Sequence, residues 1–502
     1  MNRVLLLALL ALSSSVFAFP KGKQPLQFPE DFVWAAATSA FQVEGGHNGT
    51  GRGMSIWDRY LQVVPAVDNK TGEIACDTYH KYKSDAILMK KQGLKSYRFS
   101  ISWPRLFPNG LVNNVNKEGV QYYHNLIESL LEQGITPVVT LYHWDLPLSL
   151  GDRGGWLNDE IVEWFGDYAR FCFNEYGSKV RQWITINEPH TQSIYGYCGQ
   201  IAEHAPGGFQ RNCEWSLYLS AHNYLLAHGR AARIYKRDFQ PTQKGTIGIA
   251  LNAIWFEPHT PEDKESAELA FEFMFGWFAN AIYGQGDYPK VMRERMEVLR
   301  KREGRETARL PTFTAEQIDQ LKGSADFVGI NYYVSLVASK KTLNESKASP
   351  TTKSQWGQDV GVYYFTPLEW KQMGGDNRIW IRYYPEGLRK ILVFINKNYN
   401  NIPVYITENG VMGTPGEGLH DLSRIFFVKG HLEAVQRAIT EDSCDVRGFY
   451  FWSLFDNFEW GAGFSDRFGM YHVDFNDPDR PRTPKSSALW YKRVIDNNAI
   501  VD

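Results

Sequence analysis

The chain has 502 residues, 54 Lys and Arg against 56 Asp and Glu, and 43% apolar residues. That length is enough for one barrel-sized domain with long loops or for two ordinary domains. A net charge of −2 leaves no basic excess for nucleic acid or an anionic membrane, so neither is an expected partner.

Residues 1–18 read as a signal peptide: a basic start ending at Arg3, an apolar run from Val4 to Leu12, and small residues around Ala18. That run is too short to span a bilayer, and no later segment reaches the roughly 18 apolar residues a spanning helix needs. A mature chain beginning near Phe19 is therefore expected to be secreted. Three acceptor sequons fit that compartment, at Asn48, Asn69 and Asn344. Of the five cysteines, Cys198 and Cys213 flank a loop rich in Gly and Pro and are the candidate disulfide pair. Cys76, Cys172 and Cys444 sit in apolar surroundings and read as buried thiols. No Cys or His spacing points to a metal site, so the expected metal and cofactor content is none.

Apolar, strand-like runs recur along the chain at 33–38, 96–102, 136–143, 183–188, 246–252, 327–333, 404–408 and 448–454. Helical patterns separate them at 82–92, 121–133, 161–176, 215–239 and 422–440. Runs apolar on both parities, alternating with helices, predict a parallel sheet covered on both faces. Eight such units predict a single (β/α)₈ TIM barrel with long loops at the C-terminal face of the strands. No Pro/Ser-rich linker divides 19–502, which reads as one domain. The stretches 253–324 and 334–401 have the most irregular composition and are expected to be long loops.

Two strings stand out, Ile184-Thr-Ile-Asn187-Glu188-Pro189 and Ile406-Thr-Glu408-Asn-Gly410. Each places a carboxylate after a β-branched run and then breaks the run with a turn-former. A lone glutamate there is ordinarily just solvated. A pair at the ends of two strands suits general acid/base work with nucleophilic attack, the chemistry of glycoside hydrolysis. Other strand ends carry Gln42, Arg98, His143 with Trp144, Asn331, Tyr333, Trp452, Glu459 and Trp460. Aromatic faces stack on sugar C–H groups, and amides and carboxylates bind hydroxyls.

With these strings the chain resembles glycoside hydrolase family 1, the β-glucosidase type of retaining glycosidase, from Phe28 to Phe475. The resemblance implies that Glu188 is the acid/base and Glu408 the nucleophile, with Arg98, Asn331 and Tyr333 supporting the pair. It implies that Asn187 meets the sugar 2-hydroxyl, that Gln42, His143, Trp144, Glu459 and Trp460 grip the other hydroxyls, and that Trp452 lies under the ring. Trp380 matches a tryptophan at the aglycone entrance. Glu188 is expected to hold the higher pKa of the pair, and an anionic Glu459 is expected to repel a 6-phosphate.

The expected function is a secreted exo-β-glycosidase acting on unphosphorylated β-D-glucosides, with β-D-fucosides and β-D-galactosides as further substrates. Its partner would be a small-molecule β-glycoside or oligosaccharide. A klotho-type co-receptor on the same scaffold would lack one or both carboxylates, and a plant-type thioglucosidase would replace the acid/base by glutamine. A transglycosylase would share every residue named and stays open.

Overall fold

The computed structural model describes residues 26–199, 204–340, 354–374 and 380–502, so the leader segment and Asn344 lie outside the described residues. Eight strands form the centre: β1 Val33–Ala37, β2 Ser96–Ser100, β3 Thr136–Tyr142, β4 Gln182–Asn187, β5 Thr246–Asn252, β6 Phe327–Asn331, β7 Val404–Asn409 and β8 Val446–Trp452. They close into a barrel in chain order, with β8 pairing back onto β1, and every neighbouring pair is parallel. The expected (β/α)₈ TIM barrel is the fold. Strands such as Ser96–Ser100 and Phe327–Asn331 bury every residue, because barrel interior and helix ring cover both faces.

The helices form for legible reasons. Thr78–Gln92 stops at Gly93, whose left-handed φ of 87° lets its N–H return to Met89 and Lys90 carbonyls. Pro385 opens Pro385–Asn398, where a missing N–H costs nothing. Ahead of β1, Leu26–Gln27 pairs with Ala499–Ile500, and Phe28, Phe32 and Trp34 pack together.

The ladders end earlier than the sequence pattern predicts, at Ala37, Ser100, Tyr142, Asn187, Asn331 and Trp452. Left-handed backbone at Trp144 (φ 79°) and Glu188 (φ 47°) breaks the extended run there. The register also shifts between Ile184 and Asn187 on β4 and between Ile406 and Glu408 on β7. Such irregularities re-aim side chains at a barrel rim.

The segment 253–324 is not the irregular loop its composition predicts. It folds into Trp255–Pro258, Lys264–Phe271, Trp277–Tyr283, Lys290–Glu303 and Ala315–Leu321. Trp255–Pro258 joins Ser335–Ser339 and Tyr363–Phe365 in a small three-stranded sheet. Within 334–401, Gln355–Val360 and Pro385–Asn398 are helical too. Among the described residues, no helix is long and apolar enough to cross a membrane.

Candidate active site

Glu188 stands just past the end of β4, and Glu408 lies within the last residues of β7. Both are almost fully buried. One connected set of side chains holds them. Arg98, at 0% exposure inside the barrel, donates from Nη1 to Glu408 Oε1 at 2.8 Å and from Nη2 to Asn187 Oδ1 at 2.6 Å. Its Nε donates to Thr140 at 3.0 Å, which fixes the plane of the guanidinium. Asn331 Nδ2 donates to Glu188 Oε1 at 2.7 Å and to Asn187 Oδ1 at 3.0 Å. The Tyr333 hydroxyl donates to Glu408 Oε2 at 2.9 Å. The five predicted residues of the catalytic set are therefore brought together, with Asn187 as their hub.

The two carboxyls have different electrostatic settings. Burial, and then the nearby Glu408 charge, push Glu188 up to about 7. Asn331 and Thr191 stabilise its ionised form but do not reverse this. Burial leaves Glu408 raised as well on balance, although Arg98 first and then Tyr333 favour its ionised form, a support that Glu188 lacks in kind. Among the described residues, Arg98 is the one cation hydrogen-bonded to either glutamate. Tyr333 is itself pushed well above its ordinary value by burial and the adjacent Glu408, so it remains a donor.

The predicted sugar-contacting residues surround this pair. His143 Nε2 faces Asn187 Nδ2 at 3.1 Å and so accepts from it, leaving the proton on Nδ1, which has no partner among the described residues. Burial, and then Arg98, hold that imidazole well below its ordinary value, so it is neutral. Its ring stacks 5.8 Å from Trp452 at 19°. Trp144 donates from Nε1 to the Asn187 carbonyl at 2.9 Å and packs 4.8 Å from Trp460. Gln42 Nε2 donates to Glu459 Oε2 at 3.1 Å and to Asn457 Oδ1 at 3.0 Å. Trp380 is 46% exposed, with its ring 6.1 Å from Tyr333, which sets it at the rim above the buried pair.

Glu459 differs from expectation. Burial, then the charges of Asp466 and Glu408, raise it to about 8, and no cation pairs with it among the described residues. This setting favours the protonated carboxyl near neutral pH and so weakens charge repulsion of a 6-phosphate there.

Several contributors were missed. Thr191 donates to Glu188 Oε2 at 2.7 Å, and Thr407 donates to Asn331 Oδ1 at 2.6 Å. Ser39 donates to Gln42 Oε1 at 2.7 Å, opposite the contact from Gln42 to Asn457. The Thr191 signal was available: Pro189 opens a short helix, and residues three apart share a face. Cys198 and Cys213 are bridged, and Cys76, Cys172 and Cys444 are buried thiols. His204, in the bridged loop, packs edge-on to Trp57 at 4.7 Å and Trp144 at 4.9 Å. Asn48 and Asn69 are exposed, although the Thr50 hydroxyl of the first sequon is spent on the Gly46 carbonyl at 2.6 Å.

The glycosyl hydrolase family 1 profile matches residues 24–500. The chain belongs to that family. Within it, the chain is similar to myrosinase 1 of Brevicoryne brassicae, 40% identical over 474 residues that cover 93% of this chain and 98% of the relative. It is 39% identical over 487 residues to the cytosolic β-glucosidase of Homo sapiens, covering 95% and 99% of the two chains. Among solved structures, an aphid myrosinase superposes with a TM-score of 0.87 at 39% identity, over 94% of this chain and 100% of the other. A rice β-glucosidase superposes with a TM-score of 0.84 at 40% identity, over 93% and 98%. A family 1 barrel with both carboxylates in place is a glycosidase of the β-glucosidase type.

Proposed function

We propose that this enzyme is a secreted, retaining exo-β-glycosidase that hydrolyses unphosphorylated β-D-glucosides, with β-D-fucosides and β-D-galactosides as further substrates. The observation that carries this reading is the split setting of the two buried carboxyls. Glu408 is held by Arg98 and Tyr333 as the ionised nucleophile. Glu188, raised to about 7, holds a proton for the leaving oxygen. In the first step the Glu408 carboxylate attacks the anomeric carbon as Glu188 protonates the aglycone oxygen. In the second step Glu188, now ionised, takes a proton from water, which attacks the glycosyl-enzyme from the face the aglycone left. Asn187, already oriented by Arg98 and Asn331, meets the 2-hydroxyl. A related rice β-glucosidase has been captured in covalent complex with glucose, which supports an intermediate of this kind here.

Gln42, His143, Glu459 and Trp460 bind the remaining hydroxyls, Trp452 lies under the ring and Trp380 receives the aglycone. The signal-peptide pattern of residues 1–18 supports secretion, and the Cys198–Cys213 bridge suits an oxidising compartment. Thioglucoside cleavage is the second reading, favoured by the likeness to the aphid myrosinase. Glu188 argues against it as the main activity, because a thiolate leaving group needs less help from an acid than an alkoxide does.

One experiment tests the reaction: proton NMR of the first sugar released from nitrophenyl β-D-glucoside, run beside the fucoside, the galactoside and a thioglucoside. The β-anomer should form first from the glucoside, and faster than any product from the thioglucoside. Initial release of the α-anomer rules out retention. Protein secreted from eukaryotic cells should begin at Phe19 and lose mass on deglycosylation.

A further inference from the structure

We propose that Asp68 is a positioning residue for sugar selection, holding the turn that carries Glu459 and Trp460 so that Glu459 meets the sugar 6-hydroxyl. The proposal rests on the reading of Glu459 as a sugar contact. Asp68 lies in the loop after helix Ile56–Val63, 396 residues from its partner Phe464 in sequence.

The turn is short and closes largely on itself. The Glu459 N–H donates to the Gly463 carbonyl at 2.6 Å, Ala462 to Glu459 at 2.9 Å and Gly463 to Trp460 at 3.1 Å. Trp460 has a left-handed φ of 53° and Gly463 one of 64°. Gly463 adopts its φ freely, but the left-handed Trp460 does not, so the turn is not held by its own backbone preference and needs an external anchor.

The 66–70 loop supplies two. The Val67 N–H donates to the Gly461 carbonyl at 2.9 Å, and Asp68 Oδ2 accepts from the Phe464 N–H at 2.7 Å. The other carboxylate oxygen, Oδ1, accepts from the Lys70 N–H at 3.0 Å, so Asp68 fixes its own loop with one oxygen and the turn with the other. The fit is close enough that a Cβ built on Gly463 would lie 2.0 Å from Asp68 Oδ1. On its far side the turn touches the site directly: Trp460 stacks on Phe41 at 5.7 Å and packs on Trp57 at 4.7 Å, and Glu459 accepts from Gln42. Releasing Asp68 frees the Glu459 end of the sugar site and leaves Glu188, Glu408 and Arg98 untouched.

The test is a kinetic cycle of the wild type, Asp68→Ala, Glu459→Ala and the double variant, on nitrophenyl β-D-glucoside and its 6-deoxy counterpart. Asp68→Ala should lower kcat/KM for the glucoside by about tenfold, mainly through KM, and for the 6-deoxyglucoside by less than about threefold. Asp68→Asn keeps one acceptor and should fall between, and it decides the matter if Asp68→Ala does not fold. The double variant should be no worse than Glu459→Ala to within about twofold, because the two residues act through one turn. Equal losses on both substrates in Asp68→Ala, or additive losses in the double variant, overturn the proposal. If Glu459→Ala itself treats the two substrates alike, the sugar-contact reading of Glu459 fails. Additivity then judges Asp68 alone: additive losses reject it, and non-additive losses support it as the anchor of the turn.

Discussion

Asn331 donates to Glu188 through Nδ2 while its own Oδ1 accepts from Thr407, the residue before Glu408. One amide thus ties the end of β4 to the end of β7. Movement of either carboxyl toward or away from the other has to break a buried hydrogen bond. β5 and β6 lie between the strands of the two carboxyls in the barrel order, and Asn331 bridges them from the end of β6.

The roles of the two carboxyls separate in variants. Glu408→Ala should lose roughly 10⁴-fold or more in kcat on every substrate. Glu188→Ala should lose about 10²–10⁴-fold on poor leaving groups, and much less in the first step with an activated phenol. Azide should rescue turnover in Glu188→Ala and give the β-glycosyl azide. In Glu408→Ala it can attack only from the opposite face and give the α-product. Product NMR reads the outcome, and the reverse pattern exchanges the assignments.

Glu188, raised to about 7, must be protonated to act as the acid, so kcat/KM should fall as pH rises through about 7. Thr191 donates to that carboxyl and favours its ionised form. Thr191→Val should therefore move the alkaline limb to higher pH and leave the acid limb in place. Full pH profiles of both enzymes check this, and a shift to lower pH contradicts it.

Glu459 gains charge only as pH rises through about 8. Rejection of nitrophenyl glucoside 6-phosphate relative to the unphosphorylated glucoside should therefore sharpen between about pH 7.5 and pH 9, where the phosphate, with its second pKa near 6, is already a dianion and only Glu459 gains charge. In Glu459→Gln the ratio should be flat over that range. Comparing kcat/KM for the two substrates at each pH removes the shared dependence on Glu188.

Asp145 is buried at 0% exposure, its oxygens make no hydrogen bond of normal geometry among the described residues, and burial raises it to about 8 against the weaker pull of the nearby Ser102 hydroxyl and Arg52. A carboxyl raised on folding binds its proton more tightly in the native state. Its contribution to stability is therefore full at low pH and declines from about pH 4 to about pH 8. Asp145→Asn carries no charge to bury, so its Tm should gain on the wild type across that window, by a few degrees at pH 8 relative to pH 5 (up to about 4 kcal/mol by linkage, at roughly 1 °C per kcal/mol in a chain this long). Scanning calorimetry at the two pH values measures it, and a constant difference refutes it.

How much was legible in the sequence follows from what each pattern encodes. Thr246–Asn252, Ile161–Tyr176 and Leu422–Thr440 were read to the residue, because unbroken periodicity runs to their ends. The helices of 264–283 were missed. Their aromatic run, Phe271, Phe273, Phe275, Trp277 and Phe278, is buried and passes through a widened turn at Glu272–Gly276, which breaks the 3.6-residue repeat. The catalytic set was legible because its residues sit on predicted strand ends. Thr407 was read only as part of a strand, and Asp68 and Asn457 not at all, because each earns its role from a partner far away in the chain. The protonated state of Glu459 was illegible for a different reason. It depends on burial and on the charges of Asp466 and Glu408, which exist only in the folded barrel.

The left-handed backbone at Trp144, Glu188 and Trp460 has a consequence for how this enzyme can change. Each of these side chains is carried on a conformation that an L residue adopts at a cost on the order of 1 kcal/mol. Glycine would adopt it freely, so at these positions local backbone relief and loss of a site side chain coincide. At Trp144 and Trp460 the buried ring packing outweighs that relief, so stability and function ask for the same residue. At Glu188, a buried carboxyl, they part: keeping it records selection for turnover, whereas selection for the scaffold alone would leave that one position open to glycine.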